Sequence, residues 1–131
     1  MNFKNIRLVL VVLGAVIFYF FWGRPSQQNQ GQGFSCEFPQ RIPVKSLRYV
    51  EHAKCRMDCR RVPKSLVEEV YREGKVNCRK SGTESGAPRW ALEYRDPGNS
   101  DLIRLVVEEE NPGKHTVITV IRLDRQFSCD C

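Results

Sequence analysis

The chain has 131 residues, and its 21 lysines and arginines exceed its 15 aspartates and glutamates, for a formal net charge of +6 at pH 7. This length leaves room for one small domain beside an N-terminal segment. The sequence lacks a Gly-rich phosphate loop and a Ser-His-Asp arrangement, so the common nucleotide-binding and serine-hydrolase classes are not indicated. The positive charge is concentrated in residues 41–80, with twelve lysines and arginines against five acidic residues. This excess favours an anionic partner, and a solvated basic surface is the alternative.

The first element of the chain is an apolar run, Leu8–Trp22. Counted from Ile6, it would extend about 25 Å as a helix, which is the short end of a membrane span. Lys4 and Arg7 precede the run, and positive charge on that side predicts a cytoplasmic N-terminus. Residues 1–23 are therefore predicted to be a transmembrane signal anchor.

A cleaved secretory signal peptide is the alternative for this segment. Cleavage requires small residues just before the cut, and Phe20–Trp22 occupy that position instead. The uncleaved anchor predicts a single-pass protein that contacts the cell inner membrane through residues 6–22 and is otherwise periplasmic or extracytoplasmic. Residues 24–35 are polar and rich in Gly and Gln, which predicts a flexible linker. Residues 36–131 are then the exported domain.

Two helices are predicted at the start of this domain. Apolar residues recur at helical spacing over residues 45–61, which predicts the first helix. Pro63 separates it from a second helix that ends at Gly74, and Ser65 with Glu68 fits a capping box. The apolar stripe of the first helix is Leu47, Val50, Ala53 and Met57.

The hydrophobic period then changes from helical spacing to two. The segments "RWALEYR", "LIRLVVE" and "TVITVIRL" are typical of strands, and a shorter strand is predicted near Lys75–Lys80. The joints "DPGNS" and "NPGK" place Pro before Gly, as in a type II turn. Because short turns join antiparallel neighbours, the predicted fold is α+β, with an N-terminal transmembrane helix, two helices and a three- to four-stranded antiparallel sheet.

Six cysteines follow the apolar run, where export would expose them to an oxidising environment. Cys55 and Cys59 are four residues apart on the predicted helix, with Cβ atoms about 5–6 Å apart. A disulfide requires about 3.8 Å between Cβ atoms, so these two are not expected to pair with each other. Cys129 and Cys131 would lie roughly 6.6 Å apart if extended, which is also a poor fit. Each pair is therefore the natural partner of the other.

Three chemical outcomes remain open for these four cysteines. Crossed disulfides would tie the chain end to the first helix, and an oxidising compartment favours this outcome. Four thiolates would instead form a tetrahedral metal site, for which zinc is suited, and no other cofactor is indicated. Free or redox-active thiols are the third outcome. Cys36 and Cys78 remain as a third possible pair.

The predicted first helix also carries basic residues on the face opposite its apolar stripe. His52 on this face would act as a general acid or base, and Arg56, Arg60 and Arg61 would hold a phosphate. His115 would be a second proton carrier if the fold brought it near. The ordinary alternative is a solvated or hydrogen-bonded histidine without a catalytic role.

The segment "EHAKCRMDCRRVPKSLVEEVYREGKV" resembles the opening signature H-A-x-x-R-M-x-x-R and capped second helix of a bacterial domain-of-unknown-function family. The segment "LVVEEENPGKHTVITVIRLD" resembles the two closing strands of that family. The resemblance covers about residues 46–124. That family is similar in layout to the small RelE/BrnT-like toxin fold, in which two helices precede an antiparallel sheet and some members cleave RNA without a metal.

The resemblance implies a role for three positions of the motif. His52, Arg56 and Arg60 match it, which implies a metal-independent, ribonuclease-like activity. Cys55 and Cys59 occupy variable positions and resemble a membrane-anchored subgroup that also ends in paired cysteines.

Three functions follow from these observations. A non-enzymatic, cysteine-stapled domain that faces the cell envelope and binds a protein or anionic partner comes first, because it requires only basic charge and disulfides. A ribonuclease-like enzyme that uses His52 with Arg56 and Arg60 comes second, since cellular RNA is not outside the membrane and export disfavours nucleic acid as a partner. A metal-binding or redox module comes third. Its residues would be Cys55, Cys59, Cys129 and Cys131.

Overall fold

The computed structural model describes residues 34–131. They contain two α-helices, α1 (Glu51–Cys59) and α2 (Lys64–Glu73), and a sheet of six strands. The strands are β1 (Arg48–Tyr49), β2 (Lys75–Val76), β3 (Gly82–Glu84), β4 (Ala87–Arg95), β5 (Leu102–Asn111) and β6 (Lys114–Arg122). Two 3-10 turns complete the described elements, at Val44–Ser46 and Cys78–Lys80.

The sheet has the order β1-β6-β5-β4-β2, and β3 also pairs with β4. Strand β1 is parallel to β6, whereas the other pairs are antiparallel. The α+β class is as expected, but the prediction of a three- to four-stranded antiparallel sheet is wrong. Strand β2 lies where a shorter strand was predicted, near Lys75–Lys80, but it covers only Lys75–Val76, and Cys78–Lys80 form a 3-10 turn. Strands β1 and β3 are only two or three residues long, so they show no period of their own. They exist because longer strands supply their hydrogen-bonding partners.

The predicted start of the first helix is also wrong. The helix begins at Glu51, and residues 48–49 form β1, paired with Thr116 and Val117 of β6. Leu47 is buried as expected, but it lies before the strand and not on the helix. The helical spacing of the apolar residues therefore predicted the buried residues correctly, but it predicted a helix that is too long.

The second helix ends as predicted and begins differently. Pro63 is its N-cap residue and no side chain caps it, so the predicted capping box of Ser65 and Glu68 is absent. Gly74 is the C-cap residue, and its N–H donates to the carbonyl oxygen of Val70. A Cβ at Gly74 would collide with that oxygen and lie 3.2 Å from the Cβ of Leu92. Glycine is required there because the carbonyl oxygen of Val70 in the last turn of α2 leaves no room for a Cβ.

Both helices pack on one face of the sheet. Strand β5 alternates as predicted, and β6 contains a bulge at Ile118, since Val106 pairs with Thr119 and Val107 pairs with Val117. The extra residue shifts the side-chain parity, so Val117 and Val120 both face the core. The sheet residues of the core are Leu92, Ile103, Leu105, Val107, Val117 and Val120.

The two predicted Pro-Gly turns have different outcomes. Gly113, between β5 and β6, has a φ of 78°, which agrees with a type II turn. In the loop between β4 and β5 the left-handed residue is Ser100, with a φ of 61°, so the type II prediction is wrong there. The N–H of Ser100 donates to the carbonyl oxygen of Asp96 and closes a wider loop.

The predicted signal anchor, residues 1–23, lies outside the described residues, as does the predicted linker up to residue 33. Within residues 34–131, neither helix has the length and apolar character needed to cross a membrane.

Candidate functional site

The outer face of α1 is joined to the end of the chain by two disulfides. Cys55 is bonded to Cys131 and Cys59 to Cys129, with Cα–Cα distances of 6.0 and 5.9 Å. Helix α1 and the end of the chain run antiparallel to each other. Cys59, the second cysteine of α1, therefore pairs with Cys129, the first of the two cysteines at the chain end. The prediction that crossed disulfides tie the chain end to the first helix is confirmed.

A third disulfide joins Cys36 to Cys78, as the remaining pair, and all six cysteines are bonded. A cysteine binds a metal as a thiolate, which a disulfide sulfur is not. Among the residues that the structure describes, no cluster of three or more His, Cys, Asp or Glu side chains is placed to hold a metal ion.

The structure brings two of the predicted catalytic residues together. The Nε of Arg56 donates to the Nε2 of His52 over 3.3 Å, and the Nδ1 of His52 lies 3.1 Å from the carbonyl oxygen of Cys131. Because Nε2 accepts a hydrogen bond, the proton of the neutral ring is on Nδ1 and donates to that carbonyl. His52 thus joins α1 to the chain end beside the Cys55–Cys131 disulfide, on an exposed surface.

The third predicted residue, Arg60, faces the sheet. Its guanidinium donates to the carbonyl oxygen of Val120 in β6, and its own carbonyl oxygen accepts from the Nε of Arg122 over 2.9 Å. Partial burial, together with the positive charge of Arg56, lowers the pKa of Arg60. Arg60 therefore fastens the end of α1 to β6, and its guanidinium is already committed to a backbone carbonyl.

A buried ion pair between Arg122 and Asp101 lies beside the contact of Arg60 with β6, and the sequence does not predict it. Arg122 is buried and pairs with the buried Asp101, and it also donates over 2.7 Å to the carbonyl oxygen of Arg61. In the sequence, Arg122 is one residue of the predicted strand "TVITVIRL" and nothing marks it as buried. The bulge in β6 changes which side chains face the core, and Arg122 therefore points inward. One guanidinium thus connects α1, β6 and the loop before β5.

His115 lies fully buried in β6 and its partners do not include His52. The Tyr71 hydroxyl is 2.5 Å from the Nδ1 of His115, and it also accepts from the N–H of Ile42 over 2.9 Å. The hydroxyl must therefore donate to Nδ1, which leaves the ring proton on Nε2, 3.5 Å from a carboxylate oxygen of Glu109. Burial lowers the pKa of His115, and Glu109 partly opposes this. The ring is a neutral core residue.

The basic charge of residues 41–80 remains largely unpaired. Of the twelve lysines and arginines, three form salt bridges within residues 34–131, to Glu110, Glu51 and Glu68. The other nine are Arg41, Lys45, Arg56, Arg60, Arg61, Arg72, Lys75, Arg79 and Lys80. In residues 81–131, by contrast, five of the six basic side chains pair with carboxylates of the same half. Residues 81–131 thus pair most of their basic side chains internally, whereas most basic side chains of residues 41–80 have no carboxylate partner within the described residues.

Comparison with known proteins identifies a family for this chain. No curated protein matches the chain, and no solved structure matches it. One family model, described as "Domain of unknown function (DUF4258)", matches residues 49–122, which extend from β1 to the end of β6. The match covers more than half of the chain, so the protein belongs to the family Domain of unknown function (DUF4258).

Proposed function

We propose that residues 34–131 form a disulfide-stapled, non-enzymatic domain outside the cytoplasm that binds an anionic partner. One observation carries the proposal. Nine of the twelve basic side chains of residues 41–80 lack a salt bridge within the described residues, whereas five of the six basic side chains of residues 81–131 form one. Positive charge without an internal partner attracts polyanions over several ångströms and orients them on approach.

Three disulfides in fewer than 100 residues support an oxidising location, because cytosolic reductants keep such cysteines reduced. The membrane attachment through residues 6–22, the cytoplasmic N-terminus and the periplasmic domain remain predictions from the sequence. So does the assignment to a membrane-anchored, cysteine-containing subgroup of the family. A count of free thiols under denaturing conditions in protein taken directly from cells tests the location, and six free thiols would contradict it.

A ribonuclease-like activity is the second candidate, and the hydrogen bond between His52 and Arg56 supports it. The order of one short strand, two helices and a sheet also supports the resemblance to RelE/BrnT-like toxins in layout. Against it, Arg60 is bound to a backbone carbonyl, and the lone pair of His52 at Nε2 already accepts from Arg56. Non-enzymatic binding requires no rearrangement of these residues.

The experiment that tests the proposed function is a binding titration of the full chain in nonionic detergent. The probes are a linear polyphosphate, an acidic peptide and micelles that contain an anionic phospholipid. We expect binding to at least one probe, with an affinity that falls linearly with salt on logarithmic axes because bound counterions are released. An absence of salt-dependent binding to all three contradicts the proposal.

The same preparation tests the second candidate. Degradation of RNA by the full chain that is lost in His52→Ala and kept in Lys45→Ala would replace binding by catalysis as the function. Lys45 is a matched control because it is exposed and has no salt bridge within the described residues.

A further inference from the structure

Three of the unpaired basic residues lie together at one side of the sheet, in the segment that joins α2 to β3. We call Lys75, Arg79 and Lys80 the basic edge. All three side chains are exposed. The segment runs along β4, since Lys75 pairs with Glu93 and Gly82 pairs with Arg89. These two partners are four positions apart in the strand, so the segment from Lys75 to Gly82 extends about 13 Å along β4.

The backbone that carries the basic edge is held at several points. Cys78 is bonded to Cys36, and the N–H of Asn77 donates to the carbonyl oxygen of Ala91 over 2.8 Å. The hydroxyl of Ser81 donates to the carbonyl oxygen of Asn77 over 2.8 Å and accepts from the N–H of Ala91 over 2.9 Å. An irregular segment with this many attachments presents its side chains from a fixed backbone, which reduces the entropy lost on binding.

Two carboxylates of the neighbouring strands β4 and β3, Glu93 and Glu84, already have other partners. Glu93 accepts from the side chains of Asn77 and Arg104, over 2.9 and 2.7 Å. Glu84 pairs with Arg89. Although Lys75 is opposite Glu93 in the sheet, the two form no salt bridge within the described residues. The positive charge of the basic edge is therefore available to an external anion.

Two open clefts flank the basic edge, with volumes of about 540 and 550 Å³. These volumes are within the range of ligand sites. Arg79 lines both clefts, Lys80 lines the first and Lys75 the second, so the two clefts adjoin at Arg79. Hydroxyl groups of Ser81, Thr83 and Thr119 line the first cleft.

Neither cleft has an aromatic side chain in its lining, as far as residues 34–131 show. Proteins that bind single-stranded nucleic acid stack the bases on aromatic rings, so this composition favours recognition of anionic groups alone. The charges follow one strand edge through two successive clefts, a geometry that fits an extended chain better than a flat lipid surface.

We propose that the basic edge binds a linear, phosphate-bearing polymer, with Lys75, Arg79 and Lys80 contacting successive phosphate groups. This inference rests on the proposed function, because it names the site and the chemistry of the anionic partner. Lysine and arginine neutralise the phosphates, and the hydroxyls of Thr83 and Thr119 in the first cleft donate to phosphate oxygens.

The test compares two triple variants of the full chain in nonionic detergent. The site variant is Lys75→Gln, Arg79→Gln and Lys80→Gln. The control variant is Lys45→Gln, Arg61→Gln and Arg72→Gln, which removes the same charge from exposed residues that also lack salt bridges within the described part of the chain. An unchanged count of disulfides and an unchanged thermal midpoint show that both variants fold.

We expect the site variant to lose about tenfold or more in affinity for linear polyphosphate, and its slope of log K against log salt to fall by about 2, for three lost phosphate contacts. The control variant should keep affinity within about threefold of the parent protein and retain most of the slope.

Each contrary result overturns a different statement. Equal losses in the two variants contradict the basic edge but leave the proposed function in place, since the charge would then act diffusely. Displacement of polyphosphate by inorganic phosphate or by anionic phospholipid, at equal phosphate concentration, contradicts a linear polymer as the ligand. Tighter binding of single-stranded RNA than of polyphosphate contradicts recognition of the anionic groups alone. A parent protein that binds no anionic probe overturns the proposed function itself.

Discussion

Helices α1 and α2 pack on the same face of the sheet by different means. Helix α1 buries only Ala53 and Met57, and it is attached through two disulfides and the contacts of Arg60. Helix α2 has no disulfide and buries four side chains. These are Leu66, Val67, Val70 and Tyr71.

The difference separates two sources of stability within one core. Burial of an aliphatic side chain contributes about 1.5–3 kcal/mol, so α2 is held by packing that is independent of redox conditions. A disulfide acts mainly by restricting the unfolded chain, so the attachment of α1 depends on oxidation. A small domain whose first helix buries few apolar residues can thus be stable where disulfides persist.

The largest effect should follow removal of both disulfides of α1. Closing the loop from Cys55 to Cys131, with a sequence separation of 76, restricts the unfolded chain by about 4.5 kcal/mol. Once it is closed, the second disulfide closes a ring of only about eight residues and adds about 2.5 kcal/mol. Replacing all four cysteines by serine should therefore cost about 7 kcal/mol, measured by urea unfolding.

The matched variants are the two that each remove one of these disulfides. Each should cost only about 2.5 kcal/mol, because the remaining bridge closes nearly the same long loop. Two single losses that add up to the loss of the fourfold variant would contradict this coupling.

The next largest loss of stability is expected when a core side chain of either helix is shortened. We expect Leu66→Ala in α2 to cost about 3 kcal/mol, and Met57→Ala in α1 to cost about 2 kcal/mol, since α1 remains tied by two disulfides. Urea unfolding of both variants in one buffer measures the difference. Equal losses, or a larger loss at Met57, would show that α1 also depends on apolar packing.

A smaller effect concerns the polar contact that anchors α2. Tyr71→Phe removes the hydroxyl that accepts from Ile42 and donates to His115, and both groups lose their partner inside the protein. The expected cost is about 2 kcal/mol. Tyr94→Phe is the control, because its hydroxyl donates to the partly exposed Glu69, and its cost should be within about 1 kcal/mol. Thermal unfolding measures both, and a Tyr71→Phe variant as stable as the control would be the contrary result.

The smallest effect is a pH dependence from His115, which faces the Tyr71 hydroxyl, the Glu109 carboxylate and the Phe38 ring. Arg41 lies over the Phe38 ring. Because burial lowers the pKa of His115 in the folded state, the unfolded chain binds the proton more readily. Stability should be full above the ordinary histidine pKa of about 6.5 and decrease as pH falls toward the lowered folded value.

Urea unfolding at several pH values measures this slope, and His115→Gln should remove it whatever its effect on absolute stability. A slope that is unchanged in His115→Gln would assign the pH dependence to other groups. Loss of the slope in His115→Gln supports a neutral His115 imidazole as the partner of the Tyr71 hydroxyl of α2.

Local patterns in the sequence were sufficient for the main elements of the domain. The period of the apolar residues located α2, the three long strands and the buried side chains of α1, because each long element repeats its pattern several times. The distance between Cβ atoms at i and i+4 excluded a bridge within α1, so the expected partners of Cys55 and Cys59 were correct.

Tertiary structure alone decided the rest. Strands of two or three residues, such as β1, take their hydrogen bonds from a distant neighbour and have no period to detect. The bulge at Ile118 reverses side-chain parity and turns Arg122 inward to Asp101, while Arg60 takes its partner from β6 and not from a substrate. A local pattern states which residues avoid water, whereas the partner of a polar group depends on atoms that only the folded chain brings within hydrogen-bonding distance.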